Sequence, residues 1–252
     1  MKIFIDEIKS DPKGIPSQTG TVAEISSKTL NISRRLLDHQ VILETLLNEG
    51  WGVMNSLPIQ NFSGLNVEIF DYLVLNLENR VKIYAKNKQV LGTVFLMNNF
   101  NYIGKILGRE QKLEAMFNGM EKMNTLLSKQ KSIYLNSWKP VYDHLFDSTY
   151  ISAGAMSKVL TKAQRDVVKD NFKGFNQEFE DIIKTQSVWE VPDVELKATI
   201  IKDLKATLSL LYSRFHDRYK SNTGLEFSKT PEKYIKYSVE GVDSALDTLF
   251  KS

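Results

Sequence analysis

The chain has 252 residues, of which 42% are hydrophobic and 25% charged, an ordinary folded-protein composition that excludes intrinsic disorder. Lys plus Arg number 33 against 30 for Asp plus Glu, a net charge of +3 with a pI near 8.8. That excess is too thin for a dedicated nucleic-acid binder but leaves room for a local basic patch. Cysteine is absent, which excludes disulfides, thiolate zinc sites, iron–sulfur clusters and a catalytic thiol.

At the start, Ile3, Phe4 and Ile5 give way at once to Asp6 and Glu7, so no signal-peptide core is present there. No apolar run approaches the roughly 18 residues of a spanning helix. The best candidate, Val94 to Met97, ends at Asn98 and Asn99. Any membrane contact is therefore expected at the surface, with the chain itself cytoplasmic.

Apolar residues recur at helical spacing almost throughout, and no segment alternates with a period of two. In chain order, Thr21 and Glu24 have capping-box spacing at the first helix. A stripe then runs from Phe70 through Leu73, Leu77 and Val81 to Tyr84. The segment Phe95 to Ile103 carries Asn98, Asn99 and Asn101 among apolar neighbours, as buried amides pinning helices together or as an exposed partner strip. Leu113, Met116, Met120, Met123 and Leu127 form the next stripe, and a short Pro140-led helix follows. Thr161 with Gln164 predicts a capping box before the stripe Val168, Phe172, Phe175, Phe179, Ile182. Asp193 predicts an N-cap before Leu196, Ile200, Leu204, Leu208, Leu211, Phe215 and Tyr219, and Ser238 caps the last helix. One-sided helices of this kind must bury their stripes against each other, which predicts an all-α fold. Breakers cluster at 11–20, 50–64 and 147–154; the third sets a boundary between a helical bundle over 1–147 and a second over 148–252.

The chemistry of catalysis is missing from the sequence. His39, His144 and His216 lie far apart, and no phosphate-cradling glycine loop, nucleophile elbow or calcium loop is present. Asp166 and Asp170 are spaced for acid–base work, but Lys162, Lys169 and Lys173 flank them as in a solvated salt-bridge face. No enzyme, metal or cofactor is expected. Two basic features remain. Lys162, Arg165, Lys169 and Lys173 fall on one stripe of a helix, and Lys229, Lys233 and Lys236 surround Tyr234 and Tyr237, with Glu232 the only acid nearby in sequence. Such clusters dock on anionic headgroups or phosphates; equally, lysine stems cover apolar neighbours on ordinary surfaces.

Three stretches carry a resemblance: Lys169-Asp-Asn-Phe-Lys-Gly-Phe-Asn176, Gln186-Ser-Val-Trp-Glu-Val-Pro-Asp193 and Pro231-Glu-Lys-Tyr-Ile-Lys-Tyr237. With Thr21-Val22, Leu36-Leu37-Asp38, Phe95 to Ile103 and Ser137-Trp138, all in order, the chain resembles the C-terminal part of the seventy-kilodalton subunit of the exocyst. The resemblance implies an elongated rod of stacked antiparallel helical bundles, whose N-terminal coiled-coil and rod portions lie outside this sequence. It implies tethering of secretory vesicles and peripheral recruitment to the plasma membrane through phosphatidylinositol 4,5-bisphosphate. Other exocyst subunits and Rho-family small GTPases are the implied protein partners. Lys233 and Lys236 match the family's C-terminal lipid-binding lysines, with Lys229, Lys162, Arg165 and Lys169 as adjoining candidates. One departure is plain: no Lys or Arg lies between Ser148 and Lys158, where some relatives are more basic. The alternative is a purely structural scaffold with no lipid contact of its own.

Overall fold

The computed structural model describes residues 6, 8, 17–50, 53–54, 57–58, 61–84, 88–117, 119–146, 159–220 and 225–251. These form an all-α fold. The helices are α1 (Glu24–Asp38), α2 (Gln40–Asn48), α3 (Phe62–Val81), α4 (Gln89–Arg109), α5 (Gln111–Phe117), α6 (Gly119–Asn136), α7 (Lys139–Asp143), α8 (Lys162–Gln186), α9 (Val194–Tyr219) and α10 (Val239–Asp247). Among the described residues the β pairing amounts to a two-residue antiparallel ladder, Val53–Met54 against Leu57–Pro58, and an isolated parallel bridge between Glu190 and Lys251.

Two compact units divide the chain, 1–133 and 134–252. The division falls inside α6, so Tyr134 and Trp138 belong to the second unit. The breaker cluster 147–154, which set the sequence-based boundary, lies outside the described residues.

In the first unit α1, α3 and α4 enclose a core that includes Leu65, Ile69, Leu73, Leu77, Phe100 and Ile103, all fully buried. Two of its polar pins are Asn98 and Asn99 of α4. Asn99 Oδ1 accepts from the Ala23 amide at 3.0 Å and from Ser26 Oγ at 2.7 Å, while its Nδ2 donates to the Phe95 carbonyl. Asn98 Nδ2 donates to the Gly20 carbonyl at 2.7 Å. Both side chains are buried, so the packing reading holds for Asn98 and Asn99, while Asn101 is half-buried. Thr21 does not cap α1. Its hydroxyl lies 2.9 Å from Ser17 Oγ, and the helix starts after Ala23 with no side-chain cap. The stripe read from Leu113 to Leu127 also breaks, since α5 and α6 are separate helices. Met120, near the start of the second, is exposed.

In the second unit the predicted caps are present. Thr161 and Gln164 form a reciprocal capping box, Asp193 Oδ1 accepts from the Leu196 amide, and Ser238 Oγ accepts from the Gly241 amide. Helices α8 and α9 pack antiparallel through aromatic pairs. Phe172 meets Phe215 and Phe175 meets Tyr212, each pair with ring centroids 4.7 Å apart. Leu204 and Leu208 are buried as expected, but the next core position is Tyr212 rather than Leu211, which is half-buried. An aromatic ring of that size reaches across helices that leucine pairs would draw closer.

The last residues close this unit. Phe250 adopts a left-handed backbone (φ 60°), unusual for a bulky side chain, and buries its ring 5.8 Å from that of Tyr134. The turn is held from three sides: Lys251 N donates to the Trp189 carbonyl at 2.6 Å, Phe250 N to the Gln186 carbonyl, and Lys197 Nζ to the Phe250 carbonyl. Tyr134 in turn donates its hydroxyl to Gln186 Oε1 at 2.5 Å, so the α8–α9 turn is tied to both α6 and the tail.

Candidate functional site

The segment 225–238 carries Lys229, Lys233 and Lys236 and has almost no helix of its own. A single 3-10 turn, Pro231–Lys233, sets its path. Its shape comes from α8 and α9 instead. Phe227 is buried and stacks on Phe172 at 5.4 Å, and the Tyr234 ring sits edge-on to Phe227. Asn176 Nδ2, on α8, donates to the Tyr234 carbonyl at 2.8 Å. Tyr212, on α9, donates its hydroxyl to the Tyr237 carbonyl at 2.7 Å, and the Tyr237 ring is edge-on to Phe179. An irregular backbone is thus pinned at two carbonyls and three rings, while all three lysines stay exposed. Cations on a fixed backbone give up less freedom on meeting an anion than cations on a loose one.

Their electrostatic situations differ. Lys233 and Lys229 make no ion pair among the described residues. Lys236 Nζ lies 2.9 Å from Glu180 Oε1 of α8, and the same oxygen is 3.3 Å from the Tyr237 hydroxyl. Partial burial, then the Glu180 charge and hydrogen bond, raise the Tyr237 phenol above its ordinary pKa. The expectation that Glu232 is the only nearby acid is therefore corrected. Glu180 lies 56 residues away in sequence, and packing of the tail on α8 brings it in.

The helix stripe is also more compensated than its spacing suggests. Lys169 pairs with Asp166 at 2.9 Å, and the hydrogen bond and charge of Lys169 hold the Asp166 carboxyl below its usual range. Lys173 lies 3.6 Å from Asp170 and 5.6 Å from the centre of the Tyr234 ring. Arg165 donates to the Leu160 carbonyl at 2.9 Å, which draws the guanidinium toward the start of α8. Lys162 is exposed and makes no ion pair among the described residues. The structure thus joins the stripe to the tail at one place, Lys173 against Tyr234. Lys162, Arg165 and Lys169 extend away from that contact along α8. Glu180, Asn176 and Tyr212 were missed at the sequence level because each acts through a partner far along the chain.

Of the histidines, His216 Nδ1 is 3.4 Å from Asp217, and the His144 ring lies directly on Gly174 of α8. Among the described residues no group of three or more His, Asp or Glu side chains is arranged to hold a metal, and no helix is long and apolar enough to cross a membrane.

Residues 1–248 match the family model for the C-terminal region of Exo70, a component of the exocyst complex. The chain belongs to that family. It is 29% identical to human exocyst complex component 7 over 98% of its length, and 30% identical to Arabidopsis thaliana exocyst complex component EXO70B1 over 97%. It spans 34% and 38% of those relatives' own lengths. A solved structure of Saccharomyces cerevisiae Exo70 matches 99% of this chain and 50% of its own, with a TM-score of 0.68 at 22% identity, which establishes the shared helical fold.

Proposed function

We propose that the second unit is a membrane-facing end of an exocyst subunit, and that its tail binds phosphatidylinositol 4,5-bisphosphate at the plasma membrane so that secretory vesicles are tethered there. The observation that carries this reading is the pair of exposed cations, Lys229 and Lys233, which make no ion pair among the described residues and stand on a backbone locked to α8 and α9. Lys236 and Lys173 stand beside them, and Lys162, Arg165 and Lys169 add long-range attraction along α8. Each basic residue near an anionic leaflet contributes about 1 kcal/mol, so several acting together suffice for reversible recruitment. No catalytic step enters this account. Other exocyst subunits and a Rho-family GTPase are the protein partners it includes, as the family relationship suggests.

A second reading has a specific observation in its favour. Lys236, Lys169 and Lys173 each pair with an acid, as the lysines of a scaffold with an ordinary solvated surface would. Vesicle co-sedimentation decides between the two. Under the membrane reading the chain pellets with phosphatidylcholine vesicles containing the bisphosphate lipid, not with phosphatidylcholine alone, and added salt releases it as the Debye length shrinks. Equal, salt-insensitive partitioning on both vesicle types would leave the scaffold reading standing.

A further inference from the structure

Glu180 occupies an unusual place among the acids that face the basic surface. Asp166 and Asp170 pair with lysines three residues away on their own helix. Glu180 reaches instead from α8 to the tail. Its Oε1 meets Lys236 at 2.9 Å and the Tyr237 hydroxyl at 3.3 Å, so its orientation is set from two sides. The supports behind it are buried: Phe179, the next residue on α8, packs against the Tyr237 ring, and Tyr212 holds the Tyr237 carbonyl. The pair itself is open to solvent, with 53% of the Lys236 side chain and 41% of the Glu180 side chain exposed. An arriving anion can therefore exchange with the carboxylate without disturbing the core.

We infer that Glu180 is an internal competitor for Lys236, occupying it against singly charged lipids and yielding it to a multiply phosphorylated inositol headgroup. This rests on the membrane reading above and names which headgroup takes Lys236 at that site. A singly charged headgroup offers Lys236 no more charge than Glu180 already does, and it leaves the displaced carboxylate uncompensated beside it. A headgroup with several phosphate charges can engage Lys233, which has no ion-pair partner among the described residues, and Lys236 three positions on. A solvent-exposed pair of this type shifts an equilibrium by no more than about five-fold, so it sets a threshold and does not block the site.

The test compares wild type, Glu180→Gln, Lys236→Ala and the double variant on two vesicle types, phosphatidylcholine with phosphatidylserine and phosphatidylcholine with phosphatidylinositol 4,5-bisphosphate. The glutamine amide oxygen still accepts from Tyr237, so helicity and melting temperature are expected to match wild type. Glu180→Gln should raise affinity for the bisphosphate vesicles by about five-fold, because a headgroup that displaces the carboxylate loses the whole pair energy in doing so, and for the serine-lipid vesicles by clearly less, because they leave the pair largely in place. That gain should vanish when Lys236 is already alanine, because the two residues act as a coupled pair. Glu180→Asp, which keeps the charge but withdraws it by one methylene, should give an intermediate gain. Equal gains on both lipids, or a gain that persists without Lys236, overturns the competitor role and leaves only a general charge effect. Failure of wild type to bind either anionic vesicle overturns the membrane reading itself.

Discussion

Truncating Phe175 to alanine tests how the second unit is held together. Its ring is fully buried, 4.7 Å from Tyr212 and 5.3 Å from Phe179, so it joins α8 to α9 at the centre of the aromatic stack. Removing a buried phenylalanine ring costs about 3–5 kcal/mol, the lost transfer energy plus a cavity that rigid neighbours cannot fill. With a urea m-value of about 2 kcal/mol/M, a loss of about 4 kcal/mol lowers the unfolding midpoint by about 2 M. Tryptophan fluorescence suits this assay: Trp138 lies 6.4 Å from Phe179, and Trp189 is buried in the α8–α9 turn. Leu211→Ala is the matched control. Half-buried beside the true core position Tyr212, it should cost about 1 kcal/mol. A Phe175→Ala midpoint unchanged from wild type, or a Leu211→Ala shift larger than that of Phe175→Ala, would refute the register of α8 on α9.

Gly174→Ala places a Cβ 2.6–2.7 Å from the His144 ring nitrogens and should destabilise by about 1–3 kcal/mol despite alanine's better helix propensity. Adding His144→Ala should restore the loss in thermal melts, and no rescue would show that the ring is not the obstacle. Asn99→Leu strands the Ala23 amide and the Ser26 hydroxyl in the first core; a loss of about 2 kcal/mol in chemical denaturation is expected, and a neutral result would refute the pinning role. Burial pushes the Tyr84, Tyr142 and Tyr212 phenols up to about 12, against about 10 when unfolded. A folded pKa above the unfolded one means that stability is intact below pH ~10 and is lost as pH rises toward ~12, so the melting temperature should fall between pH 10 and 12. A flat profile there contradicts the burial of these rings.

Much of the fold was legible because helical stripes, and the caps Thr161, Asp193 and Ser238, are local patterns. Thr21 misled because its spacing to Glu24 satisfies a capping box while its hydroxyl turns to Ser17 instead. Leu211 misled because a leucine and a tyrosine at adjacent positions fit the same periodicity, and only the facing rings decide between them. At the candidate site the lysines could be read from composition and resemblance, but their pairing could not. Glu180 becomes relevant only once Asn176 and Tyr212 have fixed the tail against α8 and α9, and no spacing rule connects residues so far apart.

The central claim is that the tail cations meet a phosphorylated inositol headgroup, and the direct measurement is the affinity of wild type against Lys233→Ala, Lys236→Ala on phosphatidylinositol 4,5-bisphosphate vesicles at matched helicity. At about 1 kcal/mol per cation, Lys233 alone accounts for about a five-fold loss, and both lysines together for up to about thirty-fold. Equal binding by the two proteins would contradict the account.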